Sequence, residues 1–289
     1  MNSKVVKEIN EIRDDRLHGA GWLSRQAINT LNLAIKEGQA DTVADFINEI
    51  RMVAAELIKT RPSMISIANY THQFLHQIIL RSQKEKELDS IRDFALAKGN
   101  ELIKFSEQAA SKAAENAAAI ISNLDTVITC SYSSTMCQAF ELAKQKRTNF
   151  QVIIAESNSE GKTYGEITAE QLKQQGIPVE AIPDEDIKLD ISKTTKALVG
   201  ADSILVDGSL INGIPTHRLA QAATETKIPF YTVCETAKFD AQSHQGKQPK
   251  LEPGFDEIPP NLITAIITER GIIKPTQVIN YIEEMASLL

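Results

Sequence analysis

Four stretches of this sequence group residues able to do chemistry. In TCSYSSTM, Thr129 to Met136, hydroxyls and a thiol end a β-branched run and open a helix-like segment. Ser131, Ser133 and Ser134, with the neighbouring backbone amides, would there meet an anion at the positive end of a helix dipole. The same hydroxyls read equally well as helix caps. Cys130 and Cys137 are candidate nucleophiles, because a thiol at a helix N-terminus loses its proton more easily. Cys137, one turn further in, reads more naturally as a small buried hydrophobe, whereas Cys130 stays open between the two roles. VGADSILVDGSLINGIPTH, Val199 to His217, carries Asp202, Asp207 and Asn212 with three glycines. A carboxylate such as Asp202 held near a sheet can bind sugar hydroxyls or move a proton, and burial would raise its pKa. Tying down backbone amides is its alternative. DDRLHGAGW supplies His18, with Gly19 and Gly21 letting backbone approach a ligand. PFYTVCETAKF supplies Lys238, a cation for a phosphate or a solvated surface lysine.

The elements that must position these residues differ between the two parts of the chain. Met1 to about Asn123 reads as amphipathic helices of a bundle, over Ala20 to Lys36, Ala40 to Ile58, Met64 to Leu80 and Lys84 to Ser122, with Pro62 the one proline. After Asp125, short apolar runs alternate with helix-length segments: Thr126 to Thr129, Gln151 to Glu156, Val179 to Pro183, Ser203 to Gly208, Pro229 to Glu235 and Leu262 to Thr268. Runs apolar on both faces and separated by helices predict βαβ units, hence a parallel sheet and an α/β class. Ligands of such sheets bind beyond the carboxyl ends of strands where strand order switches. That rule selects Cys130 to Ser134, Glu156 to Thr163, Asp184, Gly200 to Asn212 and Cys234 to Lys238.

At 289 residues the chain is long enough for two domains. Its 42% hydrophobic and 24% charged residues are those of a globular protein. A net charge of -7 argues against direct nucleic-acid binding, which uses a basic face to release counterions. Three cysteines without paired spacing fit reduced thiols in a cytoplasm, and no apolar run approaches the 18 to 20 or so residues that span a bilayer. Nothing calls for a metal or a cofactor.

HGAG at His18 to Gly21, VGADSILVDGSLINGIPTH, PFYTVCETAKF and PGFDEIPPNLITAIITERGIIKP at Pro253 to Pro275 together resemble one superfamily. It unites the alpha, beta and delta regulatory subunits of initiation factor 2B with ribose-1,5-bisphosphate isomerase and methylthioribose-1-phosphate isomerase. The resemblance implies an N-terminal helical domain over 1–123 and a Rossmann-like parallel-sheet domain over 124–289. It also implies homodimers or larger oligomers through the C-terminal domain, and a sugar phosphate or nucleotide in the cleft between domains. A translation initiation factor is an implied partner.

Within that family the isomerases are expected to pair a cysteine after the first strand with the aspartate of a Gly-Ala-Asp motif. Asp202 matches the aspartate, but Ser131 stands at the cysteine position, with Cys130 one place earlier and so turned to the opposite face of the strand. His18, before Gly19 and Ala20, replaces an arginine; Glu156-Ser157-Asn158-Ser159 replaces Glu-Thr-Arg-Pro; Asn212-Gly213 replaces Asn-Lys. Arginine grips phosphate through two parallel hydrogen bonds, so these losses weaken a bisphosphate site. A regulatory or metabolite-binding protein is therefore the first expectation. An aldose-ketose isomerase using Asp202 with Cys130 or Ser131 is the alternative.

Overall fold

The computed structural model describes residues 1–159, 161–244, 246–247 and 251–286. Five helices come first: α1 (Ser3–Asp14), α2 (Ala20–Glu37), α3 (Val43–Ile58), α4 (Ile65–Lys84) and α5 (Leu88–Ala118). Side chains set several of their starts: Asn2 accepts from the Lys4 amide, Thr42 from Asp45, and Glu87 from Asp89 and Ser90. With Glu87 as its cap, α5 starts four residues later than the helix predicted from Lys84. The apolar stripes of α1 to α4 and the first half of α5 close on one core around Leu23, Phe46, Leu57 and Phe74. Alanines 113, 114, 117 and 118, further along α5, pack instead against the sheet with Phe140 and Val152. One 31-residue helix thus joins the helical region to the rest of the molecule.

The chain then alternates. It forms β1 (Thr126–Cys130), α6 (Ser134–Gln145), β2 (Gln151–Ala155), the short pair β3 (Asn158–Ser159) and β4 (Lys162–Thr163), α7 (Tyr164–Gln174) and β5 (Val179–Ile182). Next come α8 (Ile187–Asp190), β6 (Lys196–Val199), β7 (Ser203–Ile204), β8 (Leu210–Gly213), α9 (Thr216–Glu225) and β9 (Phe230–Val233). Last are α10 (Ala241–His244), β10 (Phe255–Ile258), β11 (Ala265–Thr268), β12 (Gly271–Ile273) and α11 (Val278–Ala286). Seven strands make one sheet in the order β12-β11-β9-β6-β1-β2-β5, parallel except for β12. Among the described residues no helix is long and apolar enough to cross a membrane.

From β1 the chain winds outward through β2 to β5, then returns to the other side of β1 as β6 and winds away through β9 and β11. The crossover α6 lies on one face with Phe140, and α9 on the other with Leu219. Connections leaving β1 and β6 therefore part to opposite faces, which opens a crevice above their carboxyl ends. Ser131 and Asp202 follow those two ends.

The predicted strand over Ser203–Gly208 is replaced by two features. Lys196–Val199 is the fourth strand of the parallel sheet, and Ser203–Ile204 is the short edge of a separate antiparallel sheet, β10-β8-β7. Between β7 and β8 the Asp207-Gly208 pair makes the turn. Gly208 has φ +88°, donates its amide to Leu205 O at 2.8 Å, and lies so close to Pro275 that a Cβ would meet it at 2.6 Å. An Asp-Gly pair between apolar runs is a hairpin signal rather than a strand end.

Candidate functional site

Beyond the switch point lies a cavity of about 110 Å³, walled by the Arg16–Gly19 loop and Arg61 from the helical region, and by Ser131, Asp202 and Glu252–Phe255. A smaller recess of about 20 Å³ continues it between the start of α2, at Gly19–Gly21, and the start of α6, at Ser133–Thr135. Gly19, Tyr132 and Asp202 border both, so the two form one cleft. At the recess end two helix N-termini face the same space, and the first amides of a helix have no intrahelical acceptor. Gly19 caps α2 without a side-chain hydrogen bond, while Ser133 accepts from the Met136 amide of α6 at 3.3 Å. Lys238 completes this end. Its Nζ is buried and donates to Ala201 O at 2.7 Å, with Glu235 Oε2 at 3.9 Å. Both oxygens of Glu235 are buried without a hydrogen-bond partner among the described residues.

Asp202 stands at the junction of cavity and recess. Its amide donates to Ile211 O at 2.9 Å, which anchors it to β8. Burial pushes its carboxyl up to about 6; Lys238 and Arg61 pull it down, and Glu252 and Glu235 add to the rise. Lining a cavity, it keeps a part-exposed surface while protein packs the remaining sides.

Ser131 reaches the cavity through a backbone turn. Cys130 shares a strand face with Ile128, so its thiol enters the core beneath the sheet. Ser131 then takes φ +62° and swings out of the strand. Its amide donates to Ser157 Oγ at 2.6 Å and its carbonyl accepts from Thr168 Oγ1 at 3.0 Å. Ser157 is itself left-handed at φ +58° and is held by Asp184, which accepts the amides of Ser157 and Asn158 at 2.7 and 3.0 Å.

Of the residues singled out by sequence, His18, Gly19, Ala20, Ser131, Ser133, Asp202, Asn212 and Lys238 border the cleft. His18 stacks on Trp22 at 3.8 Å and shares a 2.8 Å contact between Nδ1 and Asp15 Oδ2. Burial raises the Asp15 carboxyl, but hydrogen bonds from the His18 ring and from the amides of His18 and Leu17 hold it below its ordinary value. Asn212 donates to Thr216 Oγ1 at 2.9 Å.

Cys130, Glu156, Asn158 and Asp207 stand elsewhere. The Cys130 thiol, pushed up to about 12 by burial, lies 3.2 Å from Thr216 Oγ1 inside the core. Asn158 turns its amide to Glu156 Oε2 at 3.0 Å on the outer surface, and Ser159 borders the cavity in its place. Asp207 accepts the amide and hydroxyl of Ser209, both at 2.9 Å, within its exposed turn. Glu160, inside the stretch selected after the second strand, lies outside the described residues.

Sequence reasoning missed Arg61 and Glu252. Arg61 Nε donates to Glu252 Oε1 at 3.1 Å, its Nη1 to Asp15 O at 2.8 Å, and the Ser63 amide to Glu252 Oε2 at 2.8 Å. The available signal was Pro62, whose break between α3 and α4 lets the neighbouring arginine leave a helix face.

A family model described as the Initiation factor 2 subunit family matches residues 16–252. The chain is 30% identical over 308 residues to Ribose 1,5-bisphosphate isomerase of Thermococcus kodakarensis, covering 97% of this chain and 95% of that protein. It is also 30% identical over 284 residues to a putative translation initiation factor eIF-2B subunit 2-like protein of Pyrococcus furiosus, covering 94% and 97%. The solved structure of the Pyrococcus horikoshii translation initiation factor eIF-2B superposes with a TM-score of 0.82 at 28% identity, over 96% of this chain and 100% of that one.

Proposed function

This chain belongs to the Initiation factor 2 subunit family, and on that premise we propose that it is a regulatory, metabolite-binding member whose cleft takes a small phosphorylated ligand. In this reading the phosphate sits in the recess, against the first amides of α2 and α6 and beside the Lys238 ammonium. The hydroxyls of the sugar or nucleoside lie toward Asp202 and Ser131. The observation that carries a binding rather than catalytic role is the fate of the thiol. A hydroxyl, Ser131, lines the cavity with Asp202, while Cys130 is buried in the core with its proton firmly held. A serine without a base to activate it exchanges protons poorly near neutral pH. The setting we assign is the cytoplasm, with the protein working as a homodimer or larger oligomer that can engage a translation initiation factor.

One observation favours the isomerase reading. Asp202, pushed up to about 6, is the kind of carboxyl that can give and take a proton near neutrality, and a relative aligned over almost the whole chain is named for that reaction. The two readings separate in one tube: purified protein is mixed with ribose 1,5-bisphosphate and followed by carbon-13 NMR, alongside calorimetric titration with ribose 5-phosphate and AMP. Saturable binding of a monophosphate without ketose formation is expected. Ketose accumulation that disappears in Asp202→Asn would replace the regulatory reading with the enzymatic one.

A further inference from the structure

The cavity end of the cleft contains an anion site that the chain fills for itself. Arg61, with a side chain only 6% exposed, offers its guanidinium there, and the Ser63 amide lies beside it. A guanidinium N–H together with a backbone N–H is a donor set that suits two oxygens of a phosphate. Both donors are taken by one carboxylate, Glu252, through Oε1 on Arg61 Nε at 3.1 Å and Oε2 on the Ser63 amide at 2.8 Å. The Glu252 amide also donates to Ser63 Oγ at 2.8 Å, so main chain and side chain together fix the carboxylate in place. Asp202 borders the same cavity and adds a second carboxyl.

Resting on the pocket reading given above, we propose that Glu252 is a specificity residue: by occupying the Arg61 and Ser63 donors it denies the ligand's far end a second anionic group. The ligand class is then a sugar or nucleoside monophosphate, with its phosphate at the Lys238 recess and neutral hydroxyls toward Glu252 and Asp202. A bisphosphate would have to displace Glu252 from a guanidinium and an amide, or place its second phosphate beside two carboxyl groups. Like charges in a part-buried site repel strongly, so either course weakens binding.

Calorimetric titration of the full chain with ribose 5-phosphate and with ribose 1,5-bisphosphate, for the wild type and Glu252→Gln, tests this. Glutamine keeps the shape and one acceptor while removing the charge. The wild type is expected to bind the monophosphate more tightly. Glu252→Gln should tighten bisphosphate binding by about tenfold relative to the monophosphate, the order expected when a close like charge is removed. A wild type that prefers the bisphosphate, or a variant with an unchanged ratio of affinities, overturns the proposal and leaves the pocket reading standing. If neither protein binds either compound, both readings fall. Should Glu252→Gln not fold, the wild-type preference decides alone.

Discussion

The Ser131 hydroxyl lies directly over Gly213: a Cβ built on that glycine would stand 2.7 Å from Ser131 Oγ and 3.4 Å from its Cβ. The strand-end turn after β1 and the last residue of β8 are thus packed to contact, and this closes the cavity wall opposite the helical region. Gly213→Ala forces one of the two apart. Ser131 has little freedom to retreat, since its amide and carbonyl are both hydrogen-bonded. The expected loss is about 1–3 kcal/mol, typical of overpacking, with weaker binding of ribose 5-phosphate. Adding Ser131→Gly removes the atoms in conflict and suits φ +62°, so the double variant should recover most of the stability of Ser131→Gly alone in urea titration. A double variant as unstable as Gly213→Ala would show that the contact is not the cause.

All three thiols are buried, and burial raises the pKa of each, with Cys130 and Cys137 pushed up to about 12. Since the thiolate is the reactive form, iodoacetamide at pH 8 should leave the native protein unalkylated over hours and label three cysteines in guanidinium, as read by intact mass. Cys130→Ala should bind ribose 5-phosphate as the wild type does while losing about 1 kcal/mol of stability from the vacated core volume. Rapid single labelling of native protein at Cys130 would place the thiol at the cleft instead.

Much of the fold was legible because period and burial agreed. Gln151–Ala155 is buried at its last four positions, as a central parallel strand with a continuous apolar run must be. Lys196–Val199 escaped because its three apolar residues follow the polar Ser192–Lys196 and precede the more conspicuous Ser203–Leu205. Ser131 and Asp202 were legible through the rule that ligands collect where strand order switches. The Arg61–Glu252 pair was not, because its partners are separated by 191 residues and only the tertiary fold brings them together. Local periodicity carries no information about such a pair. Asn158 followed its strand as required, but neither spacing nor composition could show that its side chain would turn outward to Glu156.

Ser203 joins the two halves of the molecule through one hydroxyl, which accepts from the Ile65 amide at 3.1 Å and donates to Ser63 O at 2.8 Å. Ser203→Ala takes the acceptor from the buried Ile65 amide and one donor from Ser63 O, at a cost of about 1–3 kcal/mol. The damage should concentrate at the start of α4. Hydrogen exchange at the Ile65 amide is expected to accelerate more than exchange in β1 or β2. Uniform acceleration everywhere would mean that the hydroxyl supports global stability rather than this junction.

Asp202 gives the last prediction its sign. Its carboxyl ordinarily titrates near 3.8 and is pushed up to about 6 in the folded chain, with burial the leading cause. Between those two values the folded state holds a proton that the unfolded state has lost, so folding is favoured by protonation and stability falls as pH rises from about 4 to about 6. Above about 6 both states are ionised and the loss is complete, at most about 3 kcal/mol for two pKa units. Lys238 and Arg61 keep the loss from being larger. Asp202→Asn removes the titration without changing the shape. Its melting temperature relative to the wild type should climb through pH 4 to 6 and level off above, leaving the variant more stable at pH 7.5. A difference that stays constant across that range would mean that Asp202 is not the proton-holding group between cavity and recess, and its part in binding hydroxyls would have to be given up with it.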